Sequence, residues 1–142
     1  MQNLIYAAPV AGVLALMFAW MKASWVSRQD PGEANMVEIA GQIQEGALAF
    51  LRAEYRVLTI FVLVVAAILG VAYFGDPARG WQIAAAFMIG AASSAAAGWA
   101  GMKVATNANV RTTAAARIGL APALNVAFSG GTVMGMTVVG LA

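Results

Sequence analysis

Four apolar stretches alternate with three polar connections along the 142-residue chain. Residues 1–21, 57–75, 80–102 and 118–142 contain no Asp, Glu, Lys or Arg. Each stretch supplies the roughly 18–20 mainly apolar residues that carry a helix across a bilayer. The pattern predicts spans over residues 4–21, 57–74, 81–102 and 118–142. The fold class that follows is all-α, a multi-span helical membrane protein with four transmembrane helices. Pro9 falls early in the first span, where a helix tolerates it or kinks. Trp20 and Trp25 mark that span's far end, as aromatic residues do at a membrane interface.

The first connection holds a turn signal, Asp30-Pro31-Gly32, and then a second kind of pattern. Met36, Ile39, Ala40, Ile43, Ala47, Phe50 and Leu51 fall on one helical face, with Glu38, Gln42, Glu45 and Arg52 largely off it. Asn35 is the expected N-cap, with Glu38 three residues on in a variant of the capping box. No breaker separates this face from the apolar run VLTIFVLVVAAILGVAYF. One helix is therefore predicted from residue 36 to 74, about 58 Å long at about 1.5 Å per residue. A hydrocarbon core is only about 30 Å thick, so the amphipathic half should project from it and pack against other helices. The second connection, GDPARG (75–80), reads as a tight polar turn. The third, residues 103–117, is polar and basic. Gly90, Ser94 and Gly98 recur every four residues, and Gly131 and Gly135 form a GxxxG pattern. Both read as faces for close helix approach. No whole segment repeats.

Composition narrows the class further. The chain is 62% hydrophobic and 10% charged, against about 45–50% and about 25% in soluble domains. A soluble single-core fold is excluded. The net charge of +2 is small and sits at span ends, so it reads as a topology signal and not as a nucleic-acid surface. With no Cys and no His, disulfides, thiolate sites and imidazole chemistry are excluded. Lys22, Arg28, Arg52, Arg56, Lys103, Arg111 and Arg117 flank or lie in the first and third connections, against Arg79 alone in the second. The positive-inside rule then places connections one and three in the cytoplasm and the N-terminus outside, in a multi-pass protein of the cell membrane. The start MQNLIYAAPV lacks a basic n-region and reads as a retained first span. The end VVGLA fits a natural terminus and a truncation alike.

No charged residue lies deep in a span. Ion and proton pathways need such groups at membrane depth, which speaks against a complete proton-driven exporter or a rotary-ring hairpin. Asp30, Glu33, Glu38, Glu45 and Glu54 read as carboxylates of a linker and a solvated helix face. Lys103, Arg111 and Arg117 read as topology determinants and headgroup contacts. Ser93, Ser94, Asn125, Ser129 and Thr132 read as sources of interhelical hydrogen bonds. The methionines do not converge on one face as a copper site would. No catalytic, cofactor-binding or metal residue is assigned within these 142 residues. The residues by themselves reach a four-span protein with a protruding second helix, and no function.

Three stretches carry a resemblance: EIAGQIQEGALAFLRAEYRVL (38–58), GMKVATNANVRTTAAAR (101–117) and ALNVAFSGGTVMG (123–135). In this order and spacing they resemble the first third or less of membrane-integral, ion-translocating pyrophosphatases. The resemblance implies that residues 1–142 are the N-terminal four-helix membrane portion of a larger pump. Such a pump works as a homodimer, hydrolyses pyrophosphate on the cytoplasmic side and moves H+ or Na+ outward. Helices one to four belong to its outer ring and pack against the remaining helices of the same subunit. It also implies Mg²⁺ bound outside this segment and, in some members, K+. Ser129 stands where the family can have a larger polar or basic residue. A second reading, a small four-span structural or helper protein without catalysis, stays open on the residues alone.

Overall fold

The computed structural model describes residues 2–75 and 80–141. Four helices make up the fold: α1 (Gln2–Ser27), α2 (Ala34–Ala72), α3 (Gly80–Ala116) and α4 (Leu120–Leu141). No strand occurs among the described residues. All four helices are long and apolar enough to cross a membrane. Residues 76–79 of the expected polar turn, Arg79 among them, lie outside the described residues.

α2 is the single long helix that the uninterrupted pattern predicts, about 58 Å for 39 residues. Its start differs from the expectation. Glu33, not Asn35, is the N-cap. Its backbone is extended (φ −71°, ψ 159°), and its carbonyl accepts from the N–H groups of Met36 at 3.0 Å and Val37 at 3.1 Å. Asn35 lies inside the first turn. No side chain caps the helix, because the Glu33 carboxylate is turned to Arg117 instead. The Asp30-Pro31-Gly32 turn is present as read. Asp30 Oδ1 accepts from Gly32 N–H at 2.9 Å, and Gly32 takes φ +85°, which a side chain would strain.

α3 is longer than its expected span. It runs on to Ala116, so the basic third connection is mostly four more turns of helix. Residues 103–117 contain neither Gly nor Pro and are rich in Ala. Lys103 ends an apolar stretch, but a charge does not end a helix.

The helices stand in the spatial order α2, α3, α4, α1. α1 also touches α3 lightly, whereas α1 and α2, neighbours in sequence, do not pack on each other. Neighbours in the row are antiparallel, and named contacts set their register. Tyr55 meets Ala95 and Gly98; Gly101 meets Met134; Gly130 meets Ala108; Lys22 meets Ser129; Gly12 meets Gly140. Small residues make these approaches possible. A Cβ on Gly130 would lie 2.7 Å from the Ala108 Cβ, and one on Gly140 would lie 2.9 Å from the Gly12 carbonyl oxygen.

The buried face of α4 carries Ala123, Val126, Gly130, Val133 and Thr137, alternately three and four residues apart. Gly131 and Gly135, the GxxxG pair, are exposed with open space at their Cβ positions. Gly90 and Ser94 are exposed as well, and of the two glycines of that trio only Gly98 has a neighbouring helix within 4 Å of its Cβ position.

The register shows that the apolar stretches do not end level with one another. Tyr55, next to Arg56, is beside Ala95, eight residues before Lys103. Lys22 is beside Ser129, and the adjoining Gly130 is beside Ala108, five residues past Lys103. At about 1.5 Å per residue these steps are about 12 Å and about 7.5 Å.

Candidate functional site

The polar chemistry gathers at the end of the bundle where α1 stops, α2 starts, α3 stops and α4 starts. α1 has no basic residue in its own last turn, so its terminal carbonyls need outside partners. Arg111 of α3 supplies them. Its Nη2 donates to Ser27 O and its Nε to Gln29 O, each at 3.0 Å. Its Nη1 donates to Asn107 O at 3.0 Å and to Asn107 Oδ1. Asn107 Nδ2 in turn donates to Ser27 Oγ at 3.2 Å. Arg111 is thus a cap for α1 delivered from a different helix.

One turn and a half further on, Arg117 pairs with Glu33 and ties the end of α3 to the start of α2. The hydrogen bond from Arg117, and then its charge, hold the Glu33 carboxyl below its ordinary value and push the Arg117 guanidinium up. Both groups are mostly exposed. The expectation that Arg111 and Arg117 face headgroups missed these internal roles. The signal available was the end of α1, SWVSRQD, which lacks a glycine stop and so calls for a donor from elsewhere.

Lys22 turns its amine between α1 and α4. Nζ lies 3.5 Å from the oxygen of Ser129, which is buried, and 5.9 Å and 5.6 Å from the ring centres of Phe18 and Trp25. Ser129 therefore makes the interhelical contact expected of it. Thr132 bonds back to Phe128 O of its own helix at 2.7 Å instead. Lys103 lies over Trp99, 5.0 Å from its ring centre.

Two hollows flank this end. An apolar groove of about 260 Å³ runs between α2 and α3, lined by Met36, Ile39, Ala40, Ile43, Thr106 and Val110 among others. The amphipathic face of α2 thus meets α3 as expected, though Ile39 and Ile43 stay more than half exposed. A smaller cleft of about 150 Å³ lies between α1, the end of α3 and the start of α4.

The carboxylates do not fit an Mg²⁺ site. No group of three or more His, Cys, Asp or Glu able to hold a metal occurs among the described residues. Glu33 is committed to Arg117, and Asp30 is engaged in its own turn. Glu38, Glu45 and Glu54 are exposed along α2. Divalent-cation sites that bind pyrophosphate need clustered carboxylates, and these residues supply none.

The sequence profile of the family described as inorganic H+ pyrophosphatase matches residues 13–142. The chain belongs to that family. A Clostridium tetani relative named as a candidate K(+)-stimulated pyrophosphate-energized sodium pump is 51% identical over 136 residues, covering 96% of this chain and 19% of the relative. The K(+)-insensitive pyrophosphate-energized proton pump of Methanosarcina mazei is 42% identical over 142 residues, covering 100% of this chain and 21% of the relative. The K(+)-stimulated pyrophosphate-energized sodium pump of Thermotoga maritima is 41% identical over 132 residues, covering 92% and 17%. The chain thus spans about a fifth of the length of the pyrophosphatase relatives it matches, and it corresponds to their N-terminal part. The names of these relatives include both K+-stimulated and K+-insensitive pumps, so K+ dependence varies within the family. Membership disfavours the reading as a stand-alone helper protein.

Proposed function

We propose that this chain is the N-terminal outer-ring part of a membrane pyrophosphatase that couples pyrophosphate hydrolysis to outward pumping of H+ or Na+. The observation that carries the proposal is the match along the whole 142 residues to a pyrophosphate-energized pump at 42% identity. In this reading the four helices are scaffold. Their interfaces are rich in Ala, Gly, Ser and Thr at close approach, the packing that membrane helices use to hold a fixed shape. The groups that bind Mg²⁺ and pyrophosphate belong to later helices of the subunit, and the working assembly is a homodimer. The basic end, with Arg111 and Arg117, faces the cytoplasm, in keeping with the positive-inside rule.

The test is reconstitution of the complete polypeptide in liposomes. Pyrophosphate should drive Mg²⁺-dependent phosphate release together with H+ or Na+ uptake into inside-out vesicles, and the K+ response should place it in one of the two groups. Phosphate release without ion movement, or neither, overturns the reading. The 142-residue segment alone should release no phosphate above empty liposomes, because no span carries a charged group at depth and no carboxylate cluster is present among its described residues.

A further inference from the structure

We propose that the cleft between α1, α3 and α4 binds the headgroup of a phosphatidylethanolamine-type lipid, with phosphate at Arg111 and ammonium at Asp30. Both residues line this cleft of about 150 Å³. They carry opposite charges and are not paired with each other: the only ion pair within 4 Å among the described residues is Arg117 with Glu33. Arg111 is held by main-chain carbonyls and the Asn107 amide oxygen. Those bonds are to neutral oxygens, and no carboxylate of the described residues lies within 4 Å of its guanidinium. They use four of its five N–H donors and leave one on Nη2. Asp30 gives one oxygen to Gly32 N–H and keeps the other. A small cleft with one fixed cation and one fixed anion fits a zwitterion, not a simple anion.

The walls identify the rest of the ligand. Trp25, Ile118 and Pro122 line the same cleft. Ile118 continues outward as an 81% exposed side chain, followed by Leu120 at 75%. An apolar surface running away from a charged pocket suits a glycerol backbone and acyl chain, so the source is a lipid and not a soluble phosphoamine. The depth agrees. The charge-free stretch of α1 ends just before Lys22, that of α4 begins at Ile118, and an interfacial tryptophan stands between them.

The discrimination follows from hydrogen bonding. A primary ammonium donates N–H bonds to Asp30. A choline headgroup has none to donate, and a glycerol headgroup presents no cation. An exposed charge pair supports at most about a fivefold preference.

The experiment is lipid retention by the complete polypeptide, delipidated in detergent and then offered equal amounts of dioleoyl phosphatidylethanolamine, phosphatidylcholine and phosphatidylglycerol, read by native mass spectrometry. The ethanolamine lipid should be retained about threefold over each of the others. Asp30→Asn should erase the preference over phosphatidylglycerol while leaving the fold intact, since Asn still accepts from Gly32 N–H. Arg111→Gln should lower retention of both phospholipids; because it also uncaps α1, the Asp30 variant carries the decision. Equal retention of the three lipids, or an unchanged preference in Asp30→Asn, overturns the proposal. So does displacement of the bound lipid by soluble phosphoethanolamine at matched concentration, which would mean that the apolar walls contribute nothing.

Discussion

The hydroxyl of Tyr55 sits directly over Gly98, 2.9 Å from where a Cβ would stand, and donates to the Ala95 carbonyl at 2.6 Å. A phenol from α2 thus reaches α3 only because residue 98 has no side chain. Gly98→Ala should displace the hydroxyl and lower stability by about 1–3 kcal/mol, the usual cost of overpacking. Tyr55→Phe, which removes only the bond, should cost about 1 kcal/mol. Gly90→Ala should do the opposite. Its Cβ meets open space, so alanine gains about 0.8–1.0 kcal/mol of helix propensity. Thermal unfolding of the complete protein in detergent measures all three. Destabilisation by Gly90→Ala equal to that by Gly98→Ala would show that the Gly90 face is covered too.

α4 supplies a sharper contrast, between adjacent glycines. Gly130 faces Ala108 and Gly131 faces open space. Gly130→Ala should destabilise by about 1–3 kcal/mol, whereas Gly131→Ala should be neutral or stabilising. Similar shifts in melting temperature for the two would contradict the buried seam of Val126, Gly130 and Val133.

These two glycine pairs also mark the limit of what the chain discloses by itself. Helix number and the length of α2 are legible, because an apolar stretch and the lack of a breaker act locally: α2 can be drawn from residue 36 to 74 on the pattern alone. The pairing of faces was not legible. A GxxxG pattern says that two small residues share a face, but whether that face meets a neighbour depends on the register between helices far apart in sequence. The end of α3 was missed for a different reason. Lys103 ends an apolar stretch, which is a statement about a bilayer, while Ala-rich sequence without Gly or Pro keeps the helix going to Ala116. Arg111 was legible as a basic residue and not as a cap, because its partners Ser27 and Gln29 lie more than eighty residues away.

Orientation is open to a direct test, since the chain has no Cys of its own. In intact cells a membrane-impermeant thiol reagent should label Arg79→Cys and leave Arg28→Cys unlabelled until the membrane is opened. Seven basic residues at the first and third connections against one in the second motivate the expectation. The reverse labelling pattern would place the Arg111 and Arg117 end outside and would contradict a cytoplasmic site for the basic end.

The Glu33–Arg117 tie should loosen in acid. Arg117 holds the Glu33 carboxyl below its ordinary value of 4.5, first through the hydrogen bond and then through its charge. A depressed pKa means that the folded state favours the ionised form. The contribution to stability is therefore complete above the unfolded-state value near 4.5 and disappears as pH falls through the lower, folded-state value. The raised Arg117 value adds no change except in strong alkali, because the guanidinium stays protonated in both states below it. Glu33 is also the N-cap of α2, and Met36 and Val37 donate to its carbonyl, so loss of the tie should let the first turn of that helix fray. Amide exchange of a peptide covering residues 33–40 should quicken, beyond the intrinsic pH dependence, as pH falls from 4.5 through the lower folded-state value in the wild type. In Glu33→Gln it should be quick throughout and follow the intrinsic curve. Because both side chains are exposed, high salt should quicken the wild type at pH 7 as well. Exchange that tracks the intrinsic curve in the wild type would mean that the ion pair does not hold the start of α2, and that the backbone bonds of Glu33 suffice.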